Sequence, residues 1–193
     1  MVEIGLRAVR ADMDIWRGFF TYLRRDFERY VPNPALGRYS MLRIFVVHPG
    51  ARSTALLRLQ ENSPLSRFGI LKTLIRSLNL FLTGADFVPG CVIGPGLMMQ
   101  HPNGIVVGST VSAGAKLTVL QQVTIGESIS SISDLSNPII GNEVLLGAGS
   151  RILGGVKIGN NAKVGANAVV LIDVPDSATA VGIPARIAGT SEA

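Results

Sequence analysis

Aliphatic side chains recur at every sixth position through the C-terminal half of this 193-residue chain. The recurring positions are Phe87, Ile93, Met99, Val107, Ala113, Val119, Ile125, Ile140, Leu146, Ile152, Ile158, Val164 and Val170. A second small or apolar residue follows four positions after each, and a glycine often follows directly, where we expect it to relieve a tight corner. A period of six fits neither an α-helix nor simple strand alternation. It is typical of a β-helix, in which each repeat contributes one short strand and one turn.

Two breaks interrupt this repeat. Eight residues separate Met99 from Val107, and fifteen separate Ile125 from Ile140. A solenoid places its insertions on the outside, where functional residues concentrate. The only cysteine, Cys91, falls in the inward register, which predicts a core position for it and not a nucleophile.

The first 80 residues differ in composition and predict helices. Three helices are expected. The first runs over residues 12–30 and is ended by Pro32 and Pro34. The second follows His48, and the third runs over residues 66–82. The last of these has an apolar stripe of Leu71, Leu74, Ile75 and Leu78 opposite basic residues, which suits packing on a neighbour and, less well, a membrane surface. The sequence therefore predicts an α-helical N-terminal domain over residues 1–83 and a β-helix over residues 84–193.

Charge and composition exclude several classes of protein. The net charge is +5, with +7 in residues 1–80 and −2 in residues 81–193, and no aromatic base-stacking motif accompanies the arginines, so we expect no nucleic-acid partner. One cysteine excludes a disulfide framework, and with only two histidines in addition we expect no metal site built from protein ligands alone. No apolar run reaches the roughly 20 residues that cross a bilayer, and no secretory signal is visible, so we expect a cytoplasmic protein.

The chain resembles the hexapeptide-repeat acyltransferases, and among them the serine acetyltransferase subfamily. The resemblance rests on GADFVPGCVIGPGLMMQHPNGIVVGSTV, on the repeats from IIGNEVLLGAGS to VVLIDVP, on the closing VGIPARI and on NPALGRYS upstream. It implies a left-handed parallel β-helix and a homotrimer, with pairing of two trimers left open. It also implies acetyl-CoA as a co-substrate in a groove between neighbouring β-helices, and no tightly bound cofactor.

The resemblance assigns roles to individual residues. His101 matches the family's general base, and Asp86, fifteen residues earlier, matches the aspartate that assists it. Histidine suits this task because its pKa lies near neutrality and a carboxylate can fix its tautomer. The alternative is that HPNG is only a turn. Ala148 and Ala166 match backbone contacts to acetyl-CoA, and a lysine or arginine is expected at its phosphates, with Lys163 favoured over Lys157 and Arg186.

Four positions depart from the subfamily. Its charged or titratable contacts to serine are replaced by Asn33, Gln100, Ser136 and Asn137. Since a zwitterion needs charged partners when it leaves water, we expect an O-acetyltransferase acting on a neutral hydroxyl, such as a sugar or polysaccharide. The alternatives are a serine O-acetyltransferase of cysteine biosynthesis and a non-catalytic β-helix scaffold. The chain ends at GTSEA without the family's isoleucine-ended tail, so no docking on the next biosynthetic enzyme is expected.

Overall fold

In the described part of the chain, four α-helices precede a stack of short strands. The computed structural model describes residues 2–31, 41–128 and 136–188, with side chains from residue 13 onward. The helices are α1 (Val2–Glu28), α2 (Met41–Val47), α3 (Pro49–Asn62) and α4 (Gly69–Thr83), and a 3₁₀ helix, Pro64–Arg67, joins the last two. Helix α4 ends at Gly84, which takes a left-handed conformation with φ of 75° and lets the chain turn into the first strand.

The strands form three sheets that are the faces of a left-handed β-helix. Sheet A holds β1 (Asp86–Phe87), β4 (Val106–Val107), β7 (Thr124–Gly126), β10 (Arg151–Leu153) and β13 (Val169–Val170). Sheet B holds β2 (Val92–Ile93), β5 (Ser112–Ala113), β8 (Ile139–Ile140) and β11 (Lys157–Ile158). Sheet C holds β3 (Met98–Met99), β6 (Thr118–Val119), β9 (Leu145–Leu146), β12 (Lys163–Val164), β14 (Thr179–Val181) and β15 (Arg186–Ile187). All pairs are parallel except β14 with β15.

The interior of the β-helix is the column that the six-residue repeat predicts. All thirteen recurring positions are buried, and none is more than 6% exposed. Cys91 also lies in this core, at 2% exposure, and burial raises the pKa of its thiol to about 12. This burial confirms the prediction that Cys91 is a core residue. A thiol that ionises only at such a high pH is a poor nucleophile near neutral pH.

The repeated glycines have a different role from the predicted one. A Cβ at Gly94 would come within 2.6 Å of the Gly114 carbonyl carbon, and one at Gly147 within 2.6 Å of the Ala166 nitrogen. Neither glycine has a positive φ. These positions need glycine because the next coil lies against them, and not because the corner demands an unusual backbone conformation.

The helices close the open end of the β-helix. Strands β1, β2 and β3 form the first coil and lie at the ends of their sheets, where edge strands expose unpaired backbone groups. Side chains from α1, from the residues that follow it and from α3 supply partners on all three faces. Gln60 donates to Phe87 O (3.1 Å), Arg58 donates to Ile93 O (2.6 Å), and the Tyr30 hydroxyl bonds both the nitrogen and the oxygen of Met99.

The helix boundaries and one helix face differ from the predictions. Helix α1 begins at Val2 and ends at Glu28, before the two prolines expected to end it, which lie outside the described residues; α2 was not predicted. In α4 the buried residues are Ile75, Asn79 and Thr83, whereas Leu74 and Leu78 are 60% and 46% exposed. Of the predicted apolar stripe, Ile75 is therefore buried and Leu71 half-buried, whereas Leu74 and Leu78 lie outside the packed face of this chain. The face that packs inward is held partly by ion pairs, which include Lys72 with Glu61.

Candidate functional site

The turn that carries His101 lies where sheet C leads into sheet A. We call this line of stacked turns the CA edge; in the first coil it comprises residues 100–104. Gly104 N donates to Gly84 O (2.9 Å), and Asp86 N donates to Ile105 O (2.8 Å). These bonds stack the His101 turn on the segment that leads into Asp86. Gln100 and His101 are both exposed, so the imidazole faces the surroundings of the coil and not its core.

Asp86 is bound by an arginine from the last helix. Its carboxylate forms two bonds with Arg76 of α4, from Nε to Oδ1 (2.5 Å) and from Nη2 to Oδ2 (2.8 Å). The bond to Asp86 raises the pKa of the Arg76 guanidinium above its ordinary value. Within the described residues His101 has no hydrogen bond. The pairing of His101 with Asp86 stays a prediction, and each Asp86 oxygen keeps a lone pair with which to accept a further donor.

Two of the predicted acetyl-CoA contacts lie on the same edge as His101. Ala148 follows β9 and Ala166 follows β12, so both turns lead from sheet C to sheet A. Asn167 N donates to Ala148 O (2.8 Å), which joins these two turns directly. With a strand spacing of about 4.8 Å, Ala148 and Ala166 lie roughly 10 and 14 Å along the axis from the His101 turn.

The predicted phosphate contact lies beside this edge. Lys163 is exposed on sheet C, three residues before Ala166. Lys157 points outward from sheet B, on a different face of the β-helix, and Arg186 is on the last strand of sheet C. Of these three side chains, Lys163 is therefore the one on the strand that leads directly into the turn of Ala166. Its contact with a phosphate stays a prediction.

The other predicted acceptor residues lie on a different edge. Ser136 and Asn137 precede β8, where sheet A leads into sheet B, and we call this line of turns the AB edge. Asn137 is 9% exposed; its Nδ2 donates to Thr110 Oγ1 (2.7 Å) and to Glu127 Oε1 (3.1 Å). Its Oδ1 is buried and has no hydrogen bond in the described part of the chain. Asn137 therefore fastens one end of the outward loop to the coil.

Sheet A separates these two groups of residues. Gln100, His101, Ala148 and Ala166 are on the CA edge, whereas Ser136 and Asn137 are on the AB edge of the same chain. Asn33, the remaining predicted acceptor residue, lies outside the described residues. A single chain thus does not gather all the predicted residues into one site.

Sequence reasoning missed two charged side chains beside the predicted residues. Glu127 is exposed on the AB edge next to Asn137, and Arg76 binds Asp86. Neither stands in a position for which the resemblance supplied a role. A signal for Glu127 was available, since it lies two residues after the inward Ile125, at the start of the second break in the repeat.

The described ranges hold neither a metal-binding cluster nor a membrane-spanning helix. Residues 2–31, 41–128 and 136–188 contain no group of three or more histidine, cysteine, aspartate or glutamate side chains arranged to hold a metal ion. None of the helices there is long and apolar enough to cross a membrane.

Comparison with known proteins places the fold in a class. Residues 137–171 match the model of the bacterial transferase hexapeptide family (six repeats). Together with the stacked six-residue repeats of the fold, this match identifies a hexapeptide-repeat transferase.

Relatives over a longer stretch define the family more narrowly. The serine acetyltransferase of Helicobacter pylori is 36% identical over 143 residues, which are 74% of this chain and 83% of the relative. The soybean serine acetyltransferase complexed with serine is 35% identical, with a TM-score of 0.75 over 94% of this chain and 72% of that one. The Brucella abortus enzyme in complex with coenzyme A has a TM-score of 0.80 at 29% identity, over 98% of this chain and 75% of that one. The chain belongs to the serine acetyltransferase family of acyltransferases.

Proposed function

We propose that this protein is a serine O-acetyltransferase, which transfers the acetyl group of acetyl-CoA to the hydroxyl of L-serine. Membership of the serine acetyltransferase family carries the proposal, and it makes acetyl-CoA the co-substrate of this acyltransferase. The relative complexed with serine and the relative in complex with coenzyme A match over nearly the whole chain.

The chemistry is assigned to the CA edge. A neutral alcohol is a poor nucleophile near neutral pH, so a base must accept its proton as it attacks the thioester carbonyl. We assign this role to His101, whose exposed imidazole can reach a substrate outside the coil. Attack forms the new ester bond, the carbon–sulfur bond breaks, and the proton held by His101 passes to the departing thiolate of coenzyme A. Asp86, kept in place by Arg76, stabilises the imidazolium that forms between these steps.

The expectation of a neutral sugar acceptor is not supported by the comparisons, and its physical premise was incomplete. That expectation counted only the positions that match family contacts, all four of which are neutral here. The AB edge nevertheless holds a carboxylate, Glu127, which is exposed and hydrogen-bonded to Asn137. We assign this carboxylate to the ammonium group of serine, because a charge-assisted bond is roughly twice as strong as a neutral one.

The two edges come together only if chains associate. We propose a homotrimer in which the CA edge of one β-helix packs beside the AB edge of its neighbour. His101, Ala148 and Ala166 of one protomer then face Glu127 and Asn137 of the next. The separation of these residues by sheet A supports this arrangement, because the site is incomplete within one chain.

The test is a comparison of acceptors and variants in one thiol-release assay. With acetyl-CoA, we expect L-serine to give a higher kcat/KM than any of a panel of sugars. His101→Ala should lower kcat by about 10²- to 10⁴-fold, the range of general base catalysis. The matched control is Lys116→Met, which breaks an exposed ion pair with Glu143 on the remaining edge of the β-helix, between sheets B and C. Near-native turnover in His101→Ala would refute the assignment of the base.

The same assay also tests a second candidate acceptor, a sugar or other polyhydroxyl compound. Gln100 and Ser136 are neutral, and Gln100 is exposed beside His101, which favours a polyhydroxyl acceptor. A higher kcat/KM for a sugar than for L-serine would establish this second function and overturn the first.

A further inference from the structure

Met99, two residues before His101, is held by a buried tyrosine outside the β-helix. The Tyr30 hydroxyl donates to Met99 O (3.0 Å) and accepts from Met99 N (2.9 Å). Met99 ends strand β3, which lies at the end of sheet C and has only β6 beside it. On this face of the first coil, Tyr30 therefore takes the place of a neighbouring strand.

The surroundings of Tyr30 leave its hydroxyl little freedom. Tyr30 is 9% exposed, and the His48 ring lies against it with ring centres 5.4 Å apart. A Cβ at Gly50 would overlap the Met99 carbonyl oxygen and lie 2.8 Å from the tyrosine oxygen. The start of α3 thus presses on Met99 from the same side. Burial raises the pKa of Tyr30, so the hydroxyl stays neutral and can both donate and accept.

The other side-chain hydrogen bonds from the helices to the first coil are made elsewhere. Arg58 and Gln60 bind carbonyls of sheets B and A. Arg29 binds Gly96 O (2.6 Å), Leu117 O (3.0 Å) and Thr118 Oγ1 (2.8 Å), all at or before the start of strands in sheet C. Among the described residues, Tyr30 is the side chain whose hydrogen bonds hold the end of β3, from which the turn of residues 100–104 departs.

We propose that Tyr30 is a positioning residue for catalysis: its hydroxyl fixes Met99 and thereby sets the place of the His101 imidazole. This proposal rests on the proposed function, in which His101 is the general base. A misplacement of about 1 Å at a reacting group costs on the order of 100-fold in rate. Loss of the hydroxyl should therefore act on kcat, whereas the binding of acetyl-CoA along Ala148 and Ala166, two and three coils away, is left unchanged.

The experiment compares Tyr30→Phe with a matched control, Arg29→Met. The control removes three hydrogen bonds to the same end of the β-helix but none near His101. Tyr30→Phe should lower kcat about 10- to 100-fold with KM for acetyl-CoA unchanged. Arg29→Met should keep kcat within about twofold at equal folded fraction, measured by circular dichroism and gel filtration, because its lost bonds affect stability only.

A second readout does not depend on turnover. The chain has two histidines, so the imidazole resonances are few, and the His101 signal is assigned by its absence from His101→Ala. Tyr30→Phe should shift or broaden the His101 signal, and Arg29→Met should leave it in place. If Tyr30→Phe does not fold, 4-aminophenylalanine at this position keeps a donor to Met99 O. We then expect folded protein whose His101 signal and kcat lie between those of the native and inactive forms.

The outcomes separate the two proposals. If His101→Ala keeps its turnover, the proposed function fails. If His101→Ala is inactive, two results would refute the positioning role of Tyr30. One is a kcat of Tyr30→Phe within twofold of the native value. The other is a loss of activity no larger than that of Arg29→Met, with the His101 signal unmoved. Native kcat and an unmoved signal in the 4-aminophenylalanine protein would refute it as well, because the altered acceptor would then have no effect.

Discussion

The buried ion pair between Arg58 and Asp26 should be among the costliest contacts to break in this protein. Arg58 and Asp26 side chains are 1% and 0% exposed, and Arg58 Nε lies 2.7 Å from Asp26 Oδ2. Arg58 also donates to Ile93 O (2.6 Å) and Gly94 O (2.7 Å), and Asp26 Oδ1 accepts from Gly96 N (2.6 Å) and Leu97 N (2.8 Å). The pair thus joins α1 and α3 to the first coil.

The substitution Arg58→Met tests this reasoning. Removing one partner of a buried pair costs about 3–5 kcal/mol, because the other charge stays buried without compensation. Two carbonyls of the first coil also lose their donors, and each buried unpaired group costs about 1–3 kcal/mol where water does not reach it. We expect the free energy of unfolding to fall by about 4 kcal/mol or more. The measurement is urea denaturation followed by circular dichroism at one fixed protomer concentration, because any association adds to stability.

The control and the double variant make the prediction refutable. Arg24→Met breaks an exposed pair with Glu28 on the same helix α1 and should cost about 0.5 kcal/mol or less. Arg58→Met combined with Asp26→Asn should cost less than the sum of the single variants by up to about 3 kcal/mol. A loss in Arg58→Met no larger than that in Arg24→Met, or strict additivity in the double variant, would show that the pair does not hold the coil.

Two further predictions concern side chains on and inside the β-helix. Glu127→Gln should raise KM for L-serine about tenfold with KM for acetyl-CoA unchanged, because one charge-assisted bond is worth about 1.5–3 kcal/mol; equal serine KM values in steady-state kinetics would remove Glu127 from the site. The Cys91 thiol should resist alkylation at pH 8 in the folded protein and react in urea. Since its pKa rises from 9.0 to about 12 on folding, it favours the folded state below pH 9 and loses that contribution as pH rises to 12. Rapid labelling of native protein, detected by mass spectrometry, would contradict its burial.

The β-helix could be predicted almost completely because its rule is local. Each inward residue is related to the next by six positions, and every coil buries its side chains against a near copy of itself. All thirteen positions found in this way are buried. The same locality explains why His101 and the two alanines share an edge, because equivalent positions in successive repeats must stack.

The helices were predicted less well because their contacts depend on distant residues. The ion pair of α1 with α3 joins residues 32 positions apart, and Asp26 reaches Leu97, 71 positions away. No period in the sequence marks such pairs. Of the apolar stripe predicted for α4, Ile75 is buried, whereas Leu74 and Leu78 are exposed. The buried residues Ile75, Asn79 and Thr83 are flanked by Lys72 and Arg76, whose partners, Glu61 and Asp86, lie on other elements.

The unusual polarity of the buried helix residues follows from what they pack against. A helix that packs on another apolar surface buries an aliphatic stripe. Helices α1 and α3 instead pack on the edge strands of the three sheets, whose unpaired N–H and C=O groups need acceptors and donors at fixed positions along the first coil. Asp26, Arg58 and Gln60 are buried because they meet these groups, and an aliphatic residue at any of the three would leave a carbonyl or an N–H unpaired. The first coil has a neighbouring coil on only one side, so the backbone geometry next to His101 depends on the helices. Substitutions in the helices that contact the first coil should therefore change the rate of the reaction, although they lie far from the acetyl group.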